Sequence, residues 1–162
     1  MPSSDLPKTN AARILDRANV EYIVRSYDFD ETDLSATTAA DKLGLPVESV
    51  FKTLVARDER KQIMLACIPA DAELDLKALA TRSGGKKTEL VAIPELQKLT
   101  GYVRGGCSPL GTKKPYPLYV DEMCELHDTI SISAGLKGVQ LLLSPMDLVA
   151  VTDATIAPIT RS

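Results

Sequence analysis

Lys52 is one of two features of the sequence that could take part in chemistry. It lies in a strand pattern, FKTLVAR at residues 51–57, and strand alternation places it on the same face as Leu54 and Ala56. A lysine on an apolar face must form an ion pair, extend its ammonium group to solvent or bind an anion. The pattern alone favours a solvent-directed lysine and leaves anion binding open.

The second feature is a glycine-rich segment at residues 101–111, GYVRGGCSPLG, which holds four glycines and one proline in eleven residues. This composition predicts a loop. Gly105 and Gly106 allow the backbone to approach a ligand closely, and consecutive N–H groups there could bind an anion or the oxygen of a tetrahedral intermediate. A structural turn between a helix and a strand explains the composition equally well.

Cysteine and histidine offer a different chemistry. His127 is the only histidine, and it follows Cys124 in a Cys-x-x-His pattern. A structural zinc site needs four ligands, and no second pair has suitable spacing. Cys107 as nucleophile with His127 as base is a second hypothesis for an enzyme. A surface histidine near the start of a strand is the simpler interpretation.

Two short motifs match known catalytic patterns only in part. Ser49-x-x-Lys52 has the spacing of serine acylases, but the companion Ser-Asp-Asn and Lys-Thr-Gly motifs are absent. GCSPLGTK at residues 106–113 resembles a phosphate-binding loop, yet Gly111 is not followed by Lys-Ser/Thr and Pro109 removes an N–H donor. Neither pattern supports an acylase or an ATPase.

The composition describes one aliphatic, mildly acidic domain. The chain has 162 residues, 44% hydrophobic and 4% aromatic, with a net charge of −3. This balance argues against nucleic-acid binding over the whole surface but permits a local basic patch. Three scattered cysteines give no disulfide framework, and no signal-peptide pattern or membrane-length apolar run occurs. We therefore expect a cytoplasmic protein with no membrane contact.

The helices and strands that must position these residues can be predicted from hydrophobic periodicity and from the residues that typically begin and end such elements. We expect a loose tail at residues 1–7 and one domain at residues 8–162. Within the domain, the patterns predict helices at residues 11–18, 37–43, 74–81, 95–99 and 146–151, and strands at residues 21–27, 51–57, 63–68, 89–92, 118–121, 129–133 and 140–143. Helices and strands do not alternate regularly, which favours a mixed α/β domain with a largely antiparallel or mixed sheet.

Lys52 and the glycine-rich segment together resemble the YbaK family of Cys-tRNA(Pro) deacylases, in the superfamily of prolyl-tRNA synthetase editing domains. The matching segments follow the same order as in the family, from residue 10 to residue 150. Its elements are FKTL at residues 51–54, LDLK at 74–77, Gly101-Tyr102, Gly105-Gly106, SPLG at 108–111, Lys113-Lys114, Tyr27, KLG at 42–44 and SAGLKG at 133–138. GGxSPLG with an upstream FKTL is far more specific than the other motifs.

The resemblance implies an α/β domain whose twisted, mixed, mostly antiparallel sheet is partly closed into a barrel, with helices around it. It also implies a cytoplasmic enzyme that clears Cys-tRNA(Pro) by attack of the substrate's own thiol on its ester, without a cofactor or metal. Its partners would be aminoacylated tRNA(Pro) and prolyl-tRNA synthetase, with no role for DNA.

The implied site residues fall into three groups. Lys52 would position the terminal phosphate or the 3′-adenosine, and the N–H groups of Gly105 and Gly106 would hold the carbonyl oxygen. Substrate-binding residues would be Tyr27, Thr53, Ser108, Pro109 and Ser133. Cations that could meet the tRNA are Arg104, Lys113, Lys114 and Lys137.

Three positions depart from the family pattern. Cys107 replaces a more common aliphatic residue, Gln140 stands where some members have Asp, and Ser35 stands where several have Phe. The edited amino acid therefore stays open: Ala-tRNA(Pro) or Cys-tRNA(Cys) are alternative substrates. A non-catalytic module that binds tRNA or a synthetase is a third hypothesis.

Overall fold

The computed structural model describes residues 8–161, so the predicted tail at residues 1–7 lies outside the described residues. The helices are α1 Asn10–Arg17, α2 Ala36–Leu43, α3 Leu76–Ser83, α4 Ile93–Thr100 and α5 Pro145–Thr152. The strands are β1 Ile23–Ser26, β2 Phe51–Asp58, β3 Ile63–Pro69, β4 Thr88–Leu90, β5 Leu118–Asp121, β6 Ile130–Ser133, β7 Val139–Leu143 and β8 Thr155–Ala157. Short 3-10 turns occupy Val47–Ser49 and Glu122–Leu126.

Local sequence signals set the ends of the helices. The side chains of Thr9, Ser35 and Asp75 accept a backbone N–H bond in the first turns of α1, α2 and α3. These caps satisfy N–H groups that have no partner within the helix. Gly44 and Gly84 end α2 and α3 with φ of 67° and 82°, a conformation that favours glycine.

The strands form two sheets. A three-stranded antiparallel sheet has the order β1-β7-β6, and a five-stranded mixed sheet has the order β4-β2-β3-β5-β8. The β2–β3 and β2–β4 pairs are antiparallel, whereas β3–β5 and β5–β8 are parallel. An isolated parallel bridge between Val50 and Ser131 links the two sheets.

The mixed α/β fold and the mostly antiparallel pairing are confirmed, but the expected partial barrel is wrong. In the part of the chain that the structure describes, neither sheet pairs its first strand with its last, so both remain open. The five-stranded sheet is instead covered on both faces. Phe51 and Val55 face the main core, whereas Ala56 faces a second cluster that includes Leu79 of α3. Helix packing thus buries the sheet without closure.

Asp58 makes the β2–β3 hairpin sensitive to acid. Its carboxylate is buried and accepts N–H bonds from Arg60 at 2.8 Å and Gln62 at 3.0 Å, and a guanidinium bond from Arg60 at 2.8 Å. Burial raises the pKa of Asp58, but the Gln62 and Arg60 bonds outweigh it and hold the pKa below the ordinary 3.8. The ionised carboxylate therefore stabilises the fold above that ordinary pKa, and the contribution is lost as pH falls through the folded-state pKa.

We therefore expect Asp58→Asn to lower the free energy of unfolding at pH 7, and the difference from the parent to shrink by pH 3. Urea unfolding at the two pH values measures this. A deficit of equal size at both would show that the carboxylate charge contributes nothing. Asp128→Asn, at an exposed position, is the matched control and should leave the free energy nearly unchanged.

Candidate functional site

A cavity of about 410 Å³ lies where the two sheets meet. The five-stranded sheet contributes residues 51–54 and, directly after β3, Ala70. The three-stranded sheet contributes Ser133, Gln140 and, directly after β1, Tyr27. The remaining wall consists of residues 34–37 at the start of α2 and three residues of the glycine-rich loop, Arg104, Gly105 and Cys107. The cavity therefore brings together Lys52 and the glycine-rich loop, as the sequence predicts.

Lys52 enters the cavity from β2. Its ammonium group is half-buried and donates to the Ala70 carbonyl at 3.0 Å. Burial lowers the pKa of Lys52, and the charges of Asp71 and Glu73 oppose that shift. No carboxylate of residues 8–161 forms an ion pair with it. Since an ammonium group has three donors, two remain for oxygen atoms of a ligand.

The glycine-rich loop makes a tight turn at the cavity wall. The N–H of Gly106 donates to the Val103 carbonyl at 2.9 Å, and Gly105 has a φ of +86° at the third position of that turn. This geometry requires glycine at position 105. It also corrects the expectation of two oxyanion donors, because the turn uses the Gly106 N–H and Gly106 does not line the cavity. The Gly105 N–H donates to no residue in the described chain.

Both glycines have close neighbours at the position where a side chain would begin. A Cβ atom at Gly105 would lie 3.0 Å from the Cβ of Leu34, and one at Gly106 would lie 3.2 Å from the backbone of Leu136 and Lys137. The turn is thus held between the segment before α2 and the β6–β7 connection. This packing restrains the turn that Gly105 contributes to the cavity wall.

Three of the predicted substrate-binding residues line the cavity, namely Tyr27, Thr53 and Ser133. The Ser133 hydroxyl accepts from the Gly135 N–H at 3.1 Å, which leaves its own proton free to donate. Burial raises the pKa of the Tyr27 phenol, which stays a neutral donor at physiological pH.

Ser108 and Pro109 do not line the cavity. The Ser108 side chain is fully buried and accepts from the Leu110 N–H at 3.2 Å, whereas Pro109 lines a separate groove together with Tyr116 and Val151. The reason is that the chain turns into the main core after Cys107, and Leu110 is part of that core. The structure therefore places neither residue in the wall of the cavity that holds Lys52.

The predicted cations are spread over the surface. Only Arg104 lines the cavity among the four that were predicted. Lys137 forms an ion pair with Glu31, with N–O distances of 2.9 and 3.0 Å. The aliphatic chain of Lys113 packs against Gly101, and Lys113 and Lys114 lie in the connection to β5, away from the cavity.

The geometry argues against Cys107 and His127 as a nucleophile–base pair. Burial raises the pKa of Cys107 to about 11, so its thiol is neutral at physiological pH. His127 follows the 3-10 turn Glu122–Leu126, where its N–H donates to the Cys124 carbonyl, and it does not line the cavity. Within residues 8–161, no group of three His, Cys, Asp or Glu side chains is placed to hold a metal ion.

The sequence marked Ser35 as a departure from the family pattern, but the start of α2 was not among the predicted site residues. Ser35 caps this helix and donates to Asp33 at 2.7 Å, and residues 34–37 line the cavity. The N–H groups of Ala36 and Thr37 belong to the first turn and have no partner within the helix. Such a terminus favours anions and carbonyl oxygens. The N-cap at Ser35 was the signal that could have revealed it.

Comparisons with known proteins agree on one family. The sequence model of the aminoacyl-tRNA editing domain matches residues 31–151. The "Putative Cys-tRNA(Pro)/Cys-tRNA(Cys) deacylase EbsC" of Enterococcus faecalis is 40% identical over 153 residues, which cover 94% of this chain and 93% of that protein. The "Multifunctional Ser/Thr-tRNA deacylase ProXp-y" of Escherichia coli K12 is 28% identical over 62% of this chain and 61% of its own length.

A solved structure supports the same grouping. The crystal structure described as a putative trans-editing enzyme for prolyl tRNA synthetase superimposes with a TM-score of 0.77 and 26% sequence identity, covering 87% of each chain.

None of the helices within residues 8–161 has the length and apolar character that a membrane span requires.

Proposed function

This chain belongs to the aminoacyl-tRNA editing domain family, and on that premise we propose that it acts in trans as a cytoplasmic deacylase of Cys-tRNA(Pro). The supporting observation is the half-buried ammonium group of Lys52, which lines a cavity with no Asp or Glu among its wall residues. The relative from Enterococcus faecalis carries Cys-tRNA(Pro) and Cys-tRNA(Cys) in its name, and both are candidate substrates here.

The cavity wall is rich in hydrogen-bond donors. Lys52 and Arg104 contribute cations, Gly105 contributes a backbone N–H, and Ser133 contributes a hydroxyl proton. Such a wall suits the oxygen-rich end of an aminoacyl-tRNA, in which an ester carbonyl, ribose hydroxyls and a phosphate lie close together. Charged donors form the stronger bonds, so the two cations hold the phosphate and ribose oxygens.

The reaction that fits this wall uses the substrate's own cysteine. Its thiolate sulfur attacks the ester carbonyl carbon, the bond from that carbon to the terminal ribose oxygen breaks, and the ribose oxygen takes up a proton. The products are a cyclic thiolactone and free tRNA. Nearby cations favour the thiolate over the thiol, which is the electrostatic role of Lys52 and Arg104. The Gly105 N–H donates to the carbonyl oxygen as negative charge develops on it.

The rest of the rate acceleration comes from the positioning of the reacting groups. The attacking sulfur and the ester belong to one residue of the substrate, so the protein need only hold them in a reactive geometry. The neutral, buried thiol of Cys107 is not required in this scheme. Prolyl-tRNA synthetase is the proposed partner that produces the mischarged tRNA.

Release of amino acid from defined mischarged tRNAs tests the proposal. The purified chain is incubated with tRNA(Pro) carrying Cys, Ala or Ser and with Cys-tRNA(Cys), and the remaining ester is measured over time. We expect Cys-tRNA(Pro) to be cleared fastest and the thiolactone to appear before free cysteine. Binding of tRNA without ester loss would identify a non-catalytic module, and clearance of Ala-tRNA(Pro) alone would refute the thiol mechanism.

Cys107→Ser separates the two enzyme hypotheses. We expect this variant to keep Cys-tRNA(Pro) deacylation near the parent rate, because the Cys107 thiol is protonated and lies in the wall. The rate of ester loss measures this, for the variant and for parent protein that is treated with iodoacetamide and freed of the reagent before the substrate is added. Abolished activity in a folded Cys107→Ser protein would instead indicate a protein thiol nucleophile.

A further inference from the structure

Gln140 is a buried polar residue in the cavity wall that the proposed reaction leaves unused. It lies on β7, is only 7% exposed and lines the cavity. Its amide oxygen accepts from the Ser131 hydroxyl at 2.7 Å, and Ser131 is 1% exposed. Its amide nitrogen donates to no residue among those described. This nitrogen is not fully enclosed by the protein, so it is accessible to an acceptor on a ligand in the cavity.

The surroundings fix the side chain of Gln140. Position 140 pairs with Ser133 of β6 and Arg25 of β1, so the residue sits on the central strand of its sheet. With its oxygen bonded to Ser131, the amide has its two N–H groups left to donate to a ligand in the cavity that Gln140 lines. A side chain fixed in this way can discriminate between ligands, because it cannot rotate to accommodate one that lacks an acceptor.

We propose that the Gln140 amide recognises the side-chain sulfur or hydroxyl oxygen of the aminoacyl group and so selects cysteine, serine or threonine over alanine. This inference rests on the proposed function, since it names the specificity of the same site. The amide N–H forms a charge-assisted hydrogen bond with a thiolate and an ordinary hydrogen bond with a hydroxyl oxygen. Alanine offers no acceptor, so its binding leaves the amide donor unsatisfied.

The neutral amide also suits the thiolate. A carboxylate at position 140 would place negative charge near the attacking sulfur and raise the pKa of the substrate thiol. An amide donates to the same sulfur without that penalty. No Asp or Glu lines the cavity in the part of the chain that the structure describes, although the charges of Asp71 and Glu73 act on Lys52 from outside the wall.

Two substitutions at position 140 test this inference. Gln140→Met keeps the length of the side chain and removes the amide, and Gln140→Glu keeps the shape but presents only acceptors. With one tRNA carrying Cys, Ser or Ala, we expect both variants to lose about 10- to 100-fold in kcat/KM for Cys and Ser. The Ala side chain has no attacking group in the proposed reaction, so the Ala ester should be lost at the uncatalysed rate with the parent and with both variants. Gln97→Met and Gln97→Glu, at an exposed position on α4, are the matched controls.

A binding measurement keeps the inference separate from the proposed function. Amide-linked cysteinyl and alanyl analogues of 3′-aminoacyl-adenosine cannot be cleaved, and calorimetry gives their Kd for each variant. We expect the parent to prefer the cysteinyl analogue about tenfold and Gln140→Met to lose this preference. An equal preference in the parent and Gln140→Met, or parent-like binding by Gln140→Glu, would overturn the role of the amide. A parent that binds selectively but never deacylates would refute only the proposed function.

Discussion

Lys52→Ala is expected to reduce kcat/KM for Cys-tRNA(Pro) by about 100-fold or more while the protein stays folded. The variant removes the half-buried cation that favours the thiolate and contacts the oxygens of the substrate. The structural cost is small, because Lys52 makes one hydrogen bond to the protein, to the Ala70 carbonyl. Steady-state deacylation, with circular dichroism and urea unfolding as checks of the fold, measures the effect.

Two further lysine variants sharpen this test. Lys52→Arg keeps the charge but changes the donor geometry, and it should retain part of the activity if charge is the main contribution. Lys98→Ala removes an exposed cation on α4, outside the cavity, and should leave the rate nearly unchanged. A folded Lys52→Ala protein with full activity would remove Lys52 from the proposed site.

Gly105→Ala should impair both folding and catalysis. Gly105 has a φ of +86°, and an added Cβ would lie 3.0 Å from the Cβ of Leu34. The backbone conformation alone costs a non-glycine residue about 1–2 kcal/mol. Leu34 must also move, which shifts the one N–H proposed to hold the carbonyl oxygen. A misplacement of this kind reduces rates by about 100-fold. Urea unfolding and ester release measure the two effects.

Gly84→Ala is the matched control for Gly105→Ala. Gly84 has a φ of +82° at the end of α3, and nothing lies within 4 Å of an added Cβ. Gly84→Ala should therefore lose about the same backbone conformational energy as Gly105→Ala. It displaces no neighbour and does not touch the cavity. Equal losses of activity in both variants would show that lower stability, rather than the geometry of the turn, explains the Gly105 result.

The sequence predicts the elements of this fold well where apolar periodicity is strong. The β2–β3 hairpin is confirmed almost to the residue, as is β5 at Leu118–Asp121. The strand β8, Thr155–Ala157, was missed because three residues are too few to show alternation, and its parallel pairing with β5 depends on tertiary contacts. The division into two sheets could not be predicted either, since it depends on which strand edges meet.

The candidate site was predictable only in part. Lys52 and Gly105 combine an unusual residue type with an unusual local pattern, and both line the cavity. Ser108 is a neighbour of the site in sequence only, because the chain turns inward after Cys107. Lys137 is paired with Glu31, a residue far away in sequence. Such partners depend on long-range folding, which no local pattern records.

The cavity lies between the two sheets that the Val50–Ser131 bridge links, and this position has a thermodynamic consequence. Lys52 and Thr53 come from one sheet, whereas Ser133 and Gln140 come from the other. A ligand that contacts both sheets binds only the fully assembled domain, and by linkage it must raise the melting temperature of the whole domain rather than of one part. Neither sheet alone could carry a weakened version of this activity, so a fragment that lacks one sheet should be inert.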